Sequence, residues 1–277
     1  LTVTATAAET ANANAATDAA TGAATYTLII KPASIASSYV QIEPTYTLTY
    51  TGKDQEPSFT LYDTGNNLLT GSDQKELKEG VDYTVAYKDN RNVGIATAIF
   101  TGKGNYTGTR EYQFTISAAT GNMSVTGIAD CTYTGTAQKP TVGVTHSANG
   151  TLTEGTDYTV AYADNTNAGT ATVTVTFINN YANQPAITRT FKINPVGIAG
   201  AEVTGIEGKT YTGSAHTPTP TVKLGGTALI QNKDYTLEYL NNTNAGTATI
   251  IIKGKGNYTG SVTRTFSISP AELTGGS

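Results

Sequence analysis

Three aspartates stand in the same short phrase: Asp82-Tyr83-Thr84, Asp157-Tyr158-Thr159 and Asp234-Tyr235-Thr236. A carboxylate in that setting could ligate a metal or act as a catalytic acid. Turn chemistry accounts for all three copies more simply, because an Asp just ahead of a strand bonds its own backbone two residues on. Gly80 and Gly155 lie two residues before the first two aspartates, and Asn232 takes that place in the third. Both residue types tolerate left-handed backbone. Further along, Asp89, Asp164 and Asn241 begin three similar tips. Calcium wants about six to eight oxygens, several from carboxylates, and the tip at Asn241 has no carboxylate, so no metal is expected. A Lys–Asn isopeptide crosslink needs an apolar lysine, an asparagine and a carboxylate together. Lys53, Lys139 and Lys209 do not align between the copies and read as solvated side chains. Cys131 has no charged helper beside it, the setting of an inert thiol at a strand edge. His146 and His216 are isolated in loop-like surroundings. There is no Ser-His-Asp order, His-x-Glu pattern or phosphate loop, so no catalytic, cofactor-binding or metal residues are expected. Asn105-Tyr106-Thr107 and Asn257-Tyr258-Thr259 match the glycosylation triplet, a match that an Asn- and Thr-rich chain makes by chance.

The aspartate phrases belong to a longer repeat. Each is followed by a second tyrosine (Tyr87, Tyr162, Tyr239), then Asn-x-Gly (Asn92-Val93-Gly94, Asn167-Ala168-Gly169, Asn244-Ala245-Gly246), then Asn-Tyr (Asn105-Tyr106, Asn180-Tyr181, Asn257-Tyr258). The repeat signature is therefore Asp82, Tyr83 and Gly94, with Asp157, Tyr158 and Gly169, and with Asp234, Tyr235 and Gly246. Aspartate to Asn-Tyr is 23 residues in every copy, whereas the gaps from Gly52, Gly135 and Gly213 to the next aspartate are 30, 22 and 21. Constant length marks a paired ladder whose register cannot slip; variable length marks an exposed loop, here an insertion near 64–78 of the first copy. Self-similarity of this period indicates an array of like units, and arrays serve reach, spacing or adhesion more readily than catalysis.

The chain has 277 residues, 17 basic against 21 acidic, for a net charge of −4. A mildly acidic surface lacks the basic footprint of a nucleic-acid binder. With no Trp, one Met and 17 Tyr, any core is thin and built of Val, Ile, Ala and Tyr. One cysteine excludes an internal disulfide framework and points, for an exported array, to a bacterial origin. No apolar run approaches the roughly 20 residues of a membrane helix. Leu1 opens the sequence without a basic head or hydrophobic stretch and no sorting signal closes it, so a segment of a longer protein is expected.

Helix signals are nearly absent; 69–80 has room for one short turn and 9–20 is Ala-rich. Strand signals dominate. Tyr83, Val85 and Tyr87 alternate with polar residues, as do Tyr158, Val160 and Tyr162, and Tyr235, Leu237 and Tyr239. Beyond the Asn-x-Gly turn, Ala171, Val173, Val175 and Phe177 alternate again, matched by Ala248, Ile250 and Ile252. This pattern predicts half-buried antiparallel strands joined by a long-tipped hairpin. A closing strand follows (Phe114, Phe191, Phe266). About seven short strands per copy predict an all-β chain of tandem immunoglobulin-like β-sandwich modules, end to end. The expected units are 34–118, 119–196 and 197–277, preceded by a partial module at 1–33 that resembles a last hairpin. A lone hairpin is marginal in water, so 1–33 is expected to pack on the first module or pair with another chain.

The motifs Tyr211-Thr212-Gly213, Asp234 to Tyr239, Asn241-Asn242-Thr243-Asn244-Ala245-Gly246 and Gly254-Lys255-Gly256-Asn257-Tyr258-Thr259-Gly260 resemble the Ig-like repeats of bacterial surface proteins, and the likeness runs through nearly the whole chain. It implies an extracellular, cell-surface or secreted protein in which these modules are stalk or adhesion units, without catalytic residues, and with an unidentified host or cell-wall ligand, a glycan among the candidates. The second copy departs at 177–185, where Gly-x-Gly is lost, and a different edge or loop is expected there. The repeated tyrosines read as core packing with a wet hydroxyl end; stacking on sugars is the alternative, giving a carbohydrate- or ligand-binding module.

Overall fold

The computed structural model describes residues 29–36, 40–44, 48–63 and 75–272. The expectations for the hairpin in 1–33, for 9–20 and for most of the insertion near 64–78 fall outside them. Among the described residues the chain is all-β, and its one helical element is the 3-10 turn Asn179–Tyr181. The short turn expected within 69–80 is instead, over its described part, the strand Lys75–Leu77, where Leu77 pairs with Leu61 and is buried beside it.

Two compact units emerge: 1–43 with 60–86 and 99–111, and 44–59 with 87–98 and 112–277. In the first, Ala33–Ser34 runs parallel to Tyr106–Thr107. Ile35, Leu61, Leu77 and Phe100 are buried there. The Tyr83 ring meets Phe100 edge-on at 5.7 Å, and the Tyr106 hydroxyl donates to Asp63 at 2.7 Å.

In the second unit, Tyr158–Ala163 and Gly169–Phe177 form the expected hairpin, with Tyr158 opposite Phe177 and Tyr162 opposite Val173. The alternation works as read: Ala171, Val173, Val175 and Phe177 are buried while the threonines between them face outward or are half-buried. Gly169–Phe177 also pairs antiparallel with Ile187–Asn194. The sheet is mixed, not wholly antiparallel, because Cys131–Thr132 joins its edge parallel to Ile193 and Asn194. A parallel partner needs a long connection, and nearly the whole repeat intervenes between those segments. A separate three-stranded sheet holds Met123–Thr126, Gly143–His146 and Gly150–Thr151.

Both sheets recur in the following residues. Lys209–Thr210, Ser261–Ser269, Gly246–Gly254 and Tyr235–Leu240 repeat the four-stranded order, and Glu202–Thr204, Thr221–Leu224 and Thr227–Ala228 repeat the three-stranded one. The order recurs once more in Leu48–Thr49, Thr109–Ser117, Gly94–Gly102 and Tyr83–Lys88. One buried cluster joins Val144 of a three-stranded sheet with Tyr158, Val175 and Phe177 of its four-stranded neighbour. Its counterpart gathers Val222, Tyr235, Ile250 and Ile252. Each fully buried Val or Ile contributes about 1.5–3 kcal/mol, so a thin core of small β-branched residues can hold these sheets.

Candidate functional site

The repeat signature builds a turn, a strut and a tip. The Asp157 carboxylate accepts from the Thr153 N–H at 2.8 Å, and the Asp157 N–H donates to the Thr153 carbonyl at 2.8 Å. Asp82 with Lys78 and Asp234 with Ile230 do the same. The sequence reading had aspartate bonding two residues forward. The carboxylate instead reaches four residues back and closes its own turn from both sides, because the forward residues are already committed to the strand ladder. The turn passes through left-handed backbone at Gly80 (φ 80°), Gly155 (φ 82°) and Asn232 (φ 71°), as read. Asp82 and Asp234 are buried, which fits a structural carboxylate rather than one offered to a ligand.

Tyr83, Tyr158 and Tyr235 are core residues, and burial pushes each phenol upward. The second tyrosines are struts: Tyr87, Tyr162 and Tyr239 donate to the carbonyls of Pro57, Pro140 and Pro218 at 2.5, 2.6 and 2.7 Å. Neither set forms an open aromatic platform. The tips are fixed from inside the same repeat, where Asn90, Asn165 and Asn242 donate through their amides to the carbonyls of Gln55, Gln138 and His216. Gly94, Gly169 and Gly246 end the tips at φ 138°, 145° and 140°, a region open to glycine.

The tip and the Asn-Tyr turn of neighbouring repeats meet in a clasp. Asn180 accepts from the Val93 N–H at 2.9 Å and donates to the Asn92 side-chain oxygen at 3.1 Å. Asn257 accepts from the Ala168 N–H at 2.7 Å and donates to Asn167 at 3.1 Å. Each clasp has an aromatic partner. Tyr50 meets Tyr181 edge-on at 5.6 Å, and Tyr133 meets Tyr258 edge-on at 5.8 Å. Burial raises the pKa of Tyr181 and Tyr258. The Asn-Tyr turns are held from behind by the strand that opens their own repeat, through Ala119 N–H to the Asn180 carbonyl and Val196 N–H to that of Asn257, both 2.9 Å. The two clasps lie at opposite ends of the nine-residue strand Gly169–Phe177, one just before it and one just after.

The departure of the second copy at 177–185 is a repaired turn. Asn179 occupies left-handed backbone (φ 52°) where Gly104 and Gly256 stand in the other copies. The short strand seen at Tyr106–Thr107 and Tyr258–Thr259 gives way to the 3-10 turn, and the Gln184 amide donates to the Ala119 carbonyl at 2.9 Å. His146, expected in a loop, ends the strand Gly143–His146 and is 3% exposed. Its Nδ1 faces the Ala148 and Asn149 N–H groups and its Nε2 the Thr120 carbonyl. Only a neutral ring with the proton on Nε2 satisfies all three. The ring packs on Tyr181 at 5.4 Å, behind the first clasp. Cys131 sits at the sheet edge as expected, half-buried against Phe191 and Ile193.

Sequence reasoning missed the clasp asparagines. Their signal was a polar residue repeated at constant spacing without a role in its own repeat. Among the described residues no three of His, Cys, Asp and Glu come together to hold a metal ion. Hollows occur at the three tips and beside the first clasp, the last lined by Asn92, Val93, Thr156, Asn179 and Asn180.

Comparison with family models gives no match, and comparison with curated proteins gives none. Among solved structures the chain is similar to the surface layer protein SbsC, domains 4–9, at 10% sequence identity and a TM-score of 0.21, over 84% of this chain. The chain spans 48% of that structure's length. A likeness this slight carries no weight for fold or role.

Proposed function

We propose that this chain is a non-catalytic segment of a bacterial cell-surface protein, built of tandem immunoglobulin-like β-sandwich modules set end to end, and that it acts as a stalk or spacer for an adhesive region. The modules are 34–118, 119–196 and 197–277, with a partial one at 1–33. The observation that carries the reading is the clasp, which occurs twice with the same atoms and at opposite ends of one strand. A repeat gripped at both poles hands on orientation to the next, which is what a spacer requires. The cell-surface setting rests on the resemblance of the motifs to bacterial surface repeats.

Small-angle scattering of the full chain tests it. A compact 277-residue globule has a radius of gyration of about 19 Å. A nine-residue strand at about 3.3 Å per residue spans about 30 Å, so three modules in line reach about 90 Å and a radius of gyration of about 26 Å or more. The larger value is expected; a value near that of the globule overturns the reading.

A further inference from the structure

The third repeat carries the tip half of a clasp that nothing described engages. Tyr211 corresponds to Tyr50 and Tyr133, and its backbone is held alike: Tyr211 N–H donates to Ser269 at 2.8 Å as Tyr133 N–H does to Asn194 at 2.9 Å. Tyr50 and Tyr133 are half-buried against Tyr181 and Tyr258, whereas Tyr211 is 40% exposed. Asn244 and Ala245, the counterparts of Asn167 and Ala168, are exposed, and Ala168 is half-buried under its clasp.

The first repeat carries the other half. Asn105 is exposed, and no described side chain or N–H is bonded to its amide. Its turn is the one that presents Asn257. Gly102 N–H donates to the Gly108 carbonyl at 2.9 Å as Gly254 N–H does to Gly260, Ala33 N–H reaches the Asn105 carbonyl at 2.9 Å as Val196 N–H reaches that of Asn257, and Gly104 and Gly256 have φ of 66° and 64°.

We propose that the chain associates head to tail with a second copy of itself, the face of Tyr211, Asn244 and Ala245 on one copy taking the Asn105 turn of the next. The inference rests on the clasp described above. The contact joins two different surfaces, so it does not close on itself and adds copies in a row. The aromatic part differs from the internal joints: Lys75 places its ammonium 5.4 Å from the centroid of Tyr106, so Tyr211 meets a ring already shared with a cation. Without the effective concentration that a common chain supplies, association is weak, of millimolar order. It matters where copies are crowded on a surface.

The test uses the full chain, with the Ala245 amide followed by NMR from about 50 µM to about 2 mM and particle size followed by sedimentation. A concentration-dependent shift at Ala245 is expected, with growth beyond dimers. Asn105→Ala alone and Asn244→Ala alone each abolish growth. Mixed together they form dimers that stop, because one intact end of each remains. That complementation also shows that neither variant has simply misfolded. An Ala245 amide that stays fixed throughout, or association that survives Asn105→Ala, overturns the proposal. Either result leaves the stalk reading to the scattering measurement.

Discussion

Asn257→Ala removes both side-chain bonds of the second clasp: the acceptor of the Ala168 N–H at 2.7 Å and the donor to Asn167 at 3.1 Å. Each is a neutral bond worth about 0.5–1.5 kcal/mol net, so the joint loses about 1–3 kcal/mol. At about 1.4 kcal/mol per tenfold, the docked-to-undocked ratio falls by roughly 5- to 150-fold. The edge-on contact of Tyr133 with Tyr258 remains and contributes about 0.5–1.5 kcal/mol, so the joint loosens rather than disappears. Amide hydrogen exchange reads this out residue by residue. Protection of Ala168 drops by that factor, while Val173, buried in the sheet of the same repeat, keeps its rate. The Val196 amide, bonded to the Asn257 carbonyl at 2.9 Å, reports whether the turn itself survives. Asn167→Ala removes one bond only, and the coupling between the two sites in a double-mutant cycle is expected at about 0.5–1.5 kcal/mol. Unchanged exchange at Ala168, or a loss shared equally with Val173, refutes the clasp as a joint.

Asp234→Ala strips the carboxylate that accepts the Ile230 N–H at 2.9 Å. A charge-assisted bond at a site 8% exposed is worth about 1.5–3 kcal/mol, and thermal unfolding should move down accordingly, with no change in any ligand-binding assay. Gly254→Ala builds a Cβ 2.6 Å from the Thr259 nitrogen and 2.8 Å from its Cα. Backbone must shift, and the shift falls on the turn that presents Asn257; lowered stability and loss of Ala168 protection are expected together, whereas independent effects would separate turn from clasp. Burial raises the phenols of Tyr83, Tyr158, Tyr162, Tyr181, Tyr235, Tyr239 and Tyr258 above the ordinary 10.0. The folded state therefore holds those protons more tightly than the unfolded chain. Their contribution is intact below about pH 10 and is lost as pH rises through the folded values. Melting temperature against pH should be flat below that point and fall above it, with tyrosinate absorbance appearing together with unfolding; free titration of all tyrosines in a still-folded chain would contradict it.

The strands were legible because a buried face writes itself into alternation, as at Ala171, Val173, Val175 and Phe177. The tips and turns were legible because left-handed backbone selects glycine and asparagine. The direction of the aspartate bond was not, since Asp157 could cap forward or backward until the strand register consumed the forward groups. The parallel edge at Cys131–Thr132 was hidden because two residues carry no period. The clasps were hidden for a different reason: Asn180 and Asn257 act on residues 87 to 90 positions away, and a polar side chain bonding a backbone amide leaves no mark on hydropathy.

The constant 23-residue interval takes on a second meaning once the clasp is known. Register alone requires that the hairpin strands match each other, which equal insertions on both sides would still satisfy. The clasp requires more. Asn167 and Asn180 stand at the two ends of Gly169–Phe177, and a two-residue change in that strand shifts one clasp against the other by about 7 Å, beyond any hydrogen bond. Length in this segment therefore fixes the distance between joints as well as the pairing within a sheet. The upstream half of each repeat reaches the joint only through Tyr50 or Tyr133, anchored by their own sheet edge, so its loops vary without moving the clasp. The gaps of 30, 22 and 21 residues follow from that freedom. A repeat selected for an interior ligand site would be expected to hold constant the loops around that site. Here the invariant stretch is the one that sets the spacing between neighbours.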